Sequence, residues 1–175
     1  MLDNRSTDRT AEFATFAGAE VVTHERDLGI GGSLRRGYII CYIRAYERVV
    51  QLDAGGSHEP ADMDRMLEAS ADLVIGSRLM RGSVFEQSFP RKALTRLASV
   101  LLALVMHRFP QDYTSGYRCF SRKLMEVIAC DILPLMKSTE HAFTTELLVW
   151  ISRFGFSIGF TPIHYTASTT TLTPR

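Results

Sequence analysis

Short apolar runs alternate along this chain with stretches whose apolar residues recur every three or four positions. Thr7 to Ala17 carries Ala11, Phe13, Ala14, Phe16 and Ala17 and predicts a short helix with Ser6 or Thr7 as its cap. Glu20 to Thr23 reads as a strand. Gly31 and Gly32 open a helix to about Tyr46, with Leu34, Tyr38, Cys41 and Ala45 on one face. The run Arg48 to Leu52 predicts a buried strand ending at Asp53, and Pro60 opens a helix through Ala69. Asp72 to Ile75 is the next strand, followed by Gly76-Ser77-Arg78. After Pro90 a helix runs from Arg91 to His107. Tyr117 to Phe120 predicts a strand, Arg122 to Cys130 and Thr139 to Phe154 two helices, and Ser157 to Tyr165 an extended end around Pro162.

Strands alternating with helices imply an α/β sandwich with mostly parallel pairing. In such sheets the site lies beyond the carboxyl ends of the strands. Here those ends carry Asp3, Asp53 and Ser77-Arg78. Residues 1–166 are expected to form a single domain, and 167–175, rich in Thr and Ser, a disordered tail.

Composition narrows the class without naming a chemistry. At 175 residues, 46% hydrophobic and 22% charged, the chain is of ordinary globular make-up. A formal net charge of +1 gives no broad basic field, so a nucleic-acid partner is not expected. Cys41, Cys119 and Cys130 are widely spaced and include no CxxC pair, which supports neither a zinc site nor a disulfide framework. The N-terminus, MLDNRSTDRT, lacks the apolar centre of a signal peptide. The longest apolar stretch, Leu97 to Met106 broken by Ser99, is about half the roughly 20 residues of a membrane span.

Two features carry candidate chemistry. Asp53, just past an apolar strand and before Gly55-Gly56, is placed to hold a divalent cation that also binds a diphosphate; a turn or cap aspartate is the plainer reading of that residue alone. The Arg91–His107 helix is apolar over more than one stripe: Leu94, Leu97, Ala98, Val100, Leu101, Leu102, Leu104 and Val105. Full burial is the commoner cause of such a width, and partial placement in a membrane interface is the alternative.

Several blocks, in order, resemble the family-2 glycosyltransferases, most closely the polyprenyl-phosphate (dolichyl-phosphate-like) mannosyl- and glucosyltransferases. They are LDNRSTDRT, DLGIGGSLRRGY, VVQLDAGGSHEP, ADLVIGSR, FPRKALTRLASVLLALV with DYTSGYRCFSR, and HAFTTELL. The resemblance implies an A-type glycosyltransferase sandwich, lacking here the first strand and helix with their Pro-x-Tyr-Asn-Glu-type motif. It implies inverting transfer from a nucleotide sugar of GDP-mannose or UDP-glucose type to a polyprenyl phosphate. Asp3, Asn4 and Asp53 would bind the nucleotide, and Asp53 with Ser57 would hold Mg²⁺ or Mn²⁺. Binding of the cation is expected to be weak, because the second carboxylate of the family's Asp-x-Asp is Gly55 here.

On the acceptor side the resemblance points to Arg78, Arg91, Thr95 and Arg118. Arginine grips phosphate oxygens in a planar fork, and Arg91 and Thr95, four residues apart, share a helix face. Glu146 would support acceptor-side groups. Asp112 becomes a candidate general base only if the acceptor is a sugar hydroxyl, since a phosphate is already anionic. His58, beside the cation segment, is read as structural. The implied location is cytoplasmic, peripheral at the inner face of a membrane. Two other readings stay open: transfer to a sugar hydroxyl, and a non-catalytic binding relic of the same fold, which Gly55, Asn4 and the missing first strand would suit.

Overall fold

The computed structural model describes residues 1–166; the expected tail, 167–175, lies outside the described residues. In chain order the elements are β1 (Leu2–Asp3), α1 (Thr10–Phe16), β2 (Val22–Thr23), α2 (Gly29–Ile43), β3 (Arg48–Gln51), a 3₁₀ turn (Pro60–Asp62), α3 (Met63–Glu68) and β4 (Leu73–Ser77). There follow β5 (Val84–Phe85), α4 (Phe89–Val105), β6 (Arg118–Ser121), α5 (Arg122–Val127), a π turn (Ile128–Ile132), α6 (Ala142–Arg153), β7 (Ile158–Pro162) and β8 (His164–Tyr165). The predicted elements are present within a few residues of their expected bounds. The Arg122–Cys130 helix instead widens into a π turn after Val127, and β5 has no counterpart in the sequence reading.

The chain divides into two compact units. The first comprises Met1–Ala45 and Met125–Leu147. In it β1 and β2 pair in parallel, Leu2 with Val22 and Asp3 with Thr23. Tyr38 of α2 stacks on Phe143, centroids 6.3 Å apart. Gly31 lets α2 approach a neighbouring backbone: its N–H donates to Thr139 O at 3.0 Å, and a Cβ there would lie 2.4 Å from that oxygen.

The second unit comprises Tyr46–Leu124 and the chain from Leu148 onward. Its four-stranded sheet runs β3-β6-β4-β7, with β5 and β8 forming a small parallel pair. Pairing is mixed: β4 and β7 are parallel, while β6 runs antiparallel to both β3 and β4. The expectation of mostly parallel strands thus misses β6, because a short strand between two others leaves no mark of its direction in local sequence. All five residues of β4 are buried. Val74 packs with Met66, Tyr117, Cys119 and Ile163 in a buried cluster, which fixes the end of β4 where Ser77 and Arg78 leave the sheet.

Helix α4 opens on Phe89-Pro90, with proline in the first turn where its missing N–H costs no hydrogen bond. It closes on His107 at φ 52°, with Arg108 N–H reaching back to Ala103 O at 2.9 Å. Between these ends it buries only Ser99 and Ala103.

Candidate functional site

Arg78 leaves β4 into a cage. Its Nε donates to Asp112 Oδ2 at 2.8 Å, its Nη2 to Asp112 Oδ1 at 2.7 Å and to Thr114 Oγ1 at 2.6 Å, and its backbone N–H to Asp112 Oδ2 at 2.8 Å. The guanidinium carbon lies 5.1 Å from the Phe85 ring centre and 5.4 Å from that of Tyr165. The side chain is 11% exposed and that of Asp112 is wholly buried. Burial raises the Asp112 carboxyl pKa, but the hydrogen bonds and charge of Arg78 outweigh it and hold the carboxyl below its usual range. A carboxylate so committed is a poor proton acceptor, and the geometry makes Asp112 the anchor of Arg78.

Arg78 and Thr114 line an open groove of about 580 Å³. Ser88, Pro90, Arg91, Leu94, Thr95 and Ala98 complete its lining. Arg91 and Thr95 therefore meet Arg78 across one concavity. The Arg91 guanidinium makes no hydrogen bond or ion pair among the described residues, and the first turn of α4 contains no acidic residue. A cation there opposes the helix dipole, so the groove favours an anion. Arg118 is placed differently: it is buried under the turn before β6, with Nε donating to Ser115 O at 3.0 Å and Nη2 to Tyr113 O at 3.2 Å.

Asp53 follows β3 with its side chain 64% exposed. Gly116 lies against it, and a Cβ at that position would sit 3.2 Å from Asp53 Oδ2. His58 Nε2 faces the same oxygen at 3.6 Å, longer than a hydrogen bond. Its polar attraction, with the charges of Arg118 and Arg78, holds the Asp53 carboxyl below its usual range against the effect of burial. Ser57 is buried, its carbonyl accepting from Thr166 N–H at 3.1 Å. The positive φ of this loop belongs to Gly56, at 73°. Among the described residues no three His, Cys, Asp or Glu side chains gather to hold a metal. The exposed Asp53 carboxylate is nonetheless an oxygen donor of the kind a hard cation takes.

Asp3, Asn4 and Glu146 belong to the first unit. Asp3 is buried, and its Oδ1 accepts from Ser6 Oγ at 2.5 Å and Ser6 N–H at 3.0 Å, bonds that hold its carboxyl below the usual range. Asn4 Oδ1 accepts from Leu28 N–H at 2.9 Å and its Nδ2 donates to Asp27 Oδ1 at 2.5 Å, so it orders the turn leading into α2. Glu146 accepts from the backbone N–H groups of Lys137 and Ser138 at 3.1 and 2.8 Å and braces the loop before α6.

Phe85, Thr114 and Tyr165 are not among the residues expected from the sequence, which has His58 as structural. No local signal joins them: Phe85 and Tyr165 face each other only because β5 pairs with β8.

One face of α4 is turned to solvent. Phe89, Leu94, Leu97, Leu101, Leu104 and Val105 are each more than half exposed, as is Phe109 just beyond. The burial expected for this helix does not occur. No helix among the described residues is long and apolar enough to cross a membrane.

Known proteins resemble the chain over nearly its whole length. It is 30% identical over 173 residues to an undecaprenyl-phosphate mannosyltransferase of Micrococcus luteus, covering 94% of this chain and 70% of that protein. It is 32% identical to a polyprenol monophosphomannose synthase of Mycolicibacterium smegmatis, covering 79% of this chain and 52% of the relative. Among solved structures, glucosyl-3-phosphoglycerate synthase of Mycobacterium tuberculosis with Mn²⁺ and uridine-diphosphate-glucose superposes with a TM-score of 0.65. At 22% identity, over 97% of this chain and 59% of that one, the likeness is one of fold. No protein-family model matches the chain.

Proposed function

Because this chain belongs to the polyprenyl-phosphate branch of the family-2 glycosyltransferases, we propose that it transfers a sugar from a nucleotide sugar to a polyprenyl phosphate, with inversion. The observation that carries the reading is the groove between Arg78 and Arg91. One guanidinium there is held rigidly, with Nη1 unpartnered among the described residues, and the other lacks any protein anion. A phosphate bridging them would satisfy both, and Thr95 adds a hydroxyl from the same wall.

The exposed apolar face of α4 continues from Leu94 at the groove and supports an acceptor with a long hydrocarbon chain. With Arg91, Lys92 and Arg96 along the same helix, it also supports action at the surface of a bilayer.

In the proposed reaction the acceptor phosphate is the nucleophile. It is already ionised at neutral pH, so no side chain has to remove a proton, and Asp112 serves by fixing Arg78. Arg78 and Arg91 orient the attacking oxygen and hold its partner oxygens away from water. Arg118, under the turn before β6, keeps the backbone of Tyr113 and Ser115 in place and adds positive charge near Asp53. Asp53, with Ser57, would hold a magnesium or manganese ion, whose chemistry is to neutralise charge on the departing nucleoside diphosphate. Asp3 and Asn4 are the proposed contacts to base or ribose, and the relatives' names leave GDP-mannose and UDP-glucose types both open.

The test is transfer of labelled mannose or glucose to a short polyprenyl phosphate by the wild type and by Arg91→Ala. Transfer by the wild type and its collapse in the variant support the reading. A wild type inert with both donors, or a variant with unchanged kinetics toward the lipid phosphate, would overturn it. Gly55→Asp adds a carboxylate to the cation site and is expected to tighten manganese-dependent nucleotide binding on the order of tenfold.

A further inference from the structure

Tyr165 stands between the two chemistries of the second unit. On one side its ring meets His58 edge-on, centroids 5.1 Å apart. On the other it lies under the Arg78 guanidinium at 5.4 Å, and it meets Phe85 at 5.7 Å. Its backbone is tied on both sides as well. Phe85 pairs with it in the β5–β8 ladder, Glu86 N–H donates to its carbonyl at 2.9 Å, and His58 bridges to it antiparallel.

His58 needs such a wall. A histidine beside a working carboxylate is normally aimed by a hydrogen bond at its far nitrogen. His58 Nδ1 is buried with no hydrogen-bond partner among the described residues. The orientation of Nε2 toward Asp53 is therefore left to the rings on either side, Tyr117 at 4.9 Å and Tyr165. Arg78 has the complementary need. Asp112 and Thr114 fix it within the guanidinium plane, and the rings of Phe85 and Tyr165 fix it out of that plane.

We propose that Tyr165 is a shared positioning residue, whose ring sets Asp53 through His58 on the nucleotide side and Arg78 on the acceptor side. The proposal rests on the reading of Asp53 and Arg78 given under the proposed function. It predicts that one substitution loosens two ligands that share no atom of Tyr165.

The experiment measures two dissociation constants by calorimetry on the whole chain. One is for GDP or UDP with Mn²⁺, the other for farnesyl phosphate as a soluble prenyl phosphate. Tyr165→Leu, which keeps the apolarity and removes the ring, is expected to weaken both about fivefold. Tyr165→Phe should rescue both to within about twofold of the wild type, because the ring and not the hydroxyl makes the contacts. His58→Leu should weaken only the nucleotide and Phe85→Leu only the prenyl phosphate. A general loss of fold would not produce that pattern. If Tyr165→Leu does not fold, Tyr165→Met is read in the same way.

A folded Tyr165→Leu or Tyr165→Met that weakens one ligand or neither overturns the proposal, as does a Tyr165→Phe as impaired as Tyr165→Leu. A wild type that binds neither probe overturns the functional reading and this proposal with it. Binding by the wild type with an unaffected Tyr165→Leu overturns this proposal alone.

Discussion

Strand β4 and helix α4 each bring one arginine to the same groove, and they treat it in opposite ways. Arg78, at the end of a fully buried strand, has a buried carboxylate, a hydroxyl and two aromatic rings around it. Arg91, in the first turn of a helix that shows most of its apolar residues to solvent, has no anion beside it among the described residues. At the first site Nε and Nη2 are tied within the fold and Nη1 is left over, whereas at the second no tie is made among the described residues. The strand end is thus a fixed reference, while the helix offers an exposed surface and an arginine without a partner among the described residues.

The sharpest way to break this contrast is at Asp112. Asp112→Ala leaves Arg78 nearly buried without its counter-ion and is expected to cost about 3–5 kcal/mol of folding stability, read by chemical denaturation. The acid limb should follow. The folded Asp112 carboxyl titrates below its ordinary value of 3.8, so the unfolded chain takes up the proton first as pH falls. The contribution of the pair is complete above that value and is lost as pH drops through the lower, folded pKa. The difference between wild type and Asp112→Ala should therefore shrink below about pH 4.

Arg91→Ala tests the other half. Folding stability should change by no more than about 0.5 kcal/mol, because no protein partner is removed. Affinity for a lipid phosphate should fall by about 2–4 kcal/mol, with nucleotide binding little altered, and Arg91→Lys should recover only part. An Arg91→Ala protein as destabilised as Asp112→Ala would erase the distinction between the two arginines.

The smallest expected effect lies further along α4. Leu97→Asp with Leu101→Asp alters residues that are 57% and 54% exposed, so stability should hold. Flotation with phosphatidylglycerol vesicles should show binding weakened by about 1–3 kcal/mol. Equal vesicle binding by this variant and the wild type would show that the exposed face does not meet lipid.

Much of this arrangement is readable in the sequence, and the unreadable parts have definite causes. Arg78 stands out because Gly76-Ser77-Arg78 follows an apolar run, and Arg91 with Thr95 because four residues make one helical turn. Asp53 is legible as a polar residue at a strand end. The partner of Arg78 is not, since Asp112 is 34 residues away and only the tertiary fold joins them. The same holds for Tyr165, which lies in a two-residue strand too short to show a period. The apolar width of α4 is plain, but whether such a face is covered is decided by neighbouring elements, and local pattern favours the commoner answer, burial.

The cage around Arg78 also bears on entropy and timing. A free arginine side chain carries about 2 kcal/mol of rotamer freedom. Asp112, Phe85 and Tyr165 remove that freedom at Arg78 during folding, long before an acceptor arrives. In the proposed function a phosphate at Nη1 of Arg78 would have little left to order there, whereas binding at Arg91, which has no such ties among the described residues, would itself cost side-chain freedom. Under the proposed function Arg91 would capture and release the phosphate, and Arg78 would define where it comes to rest.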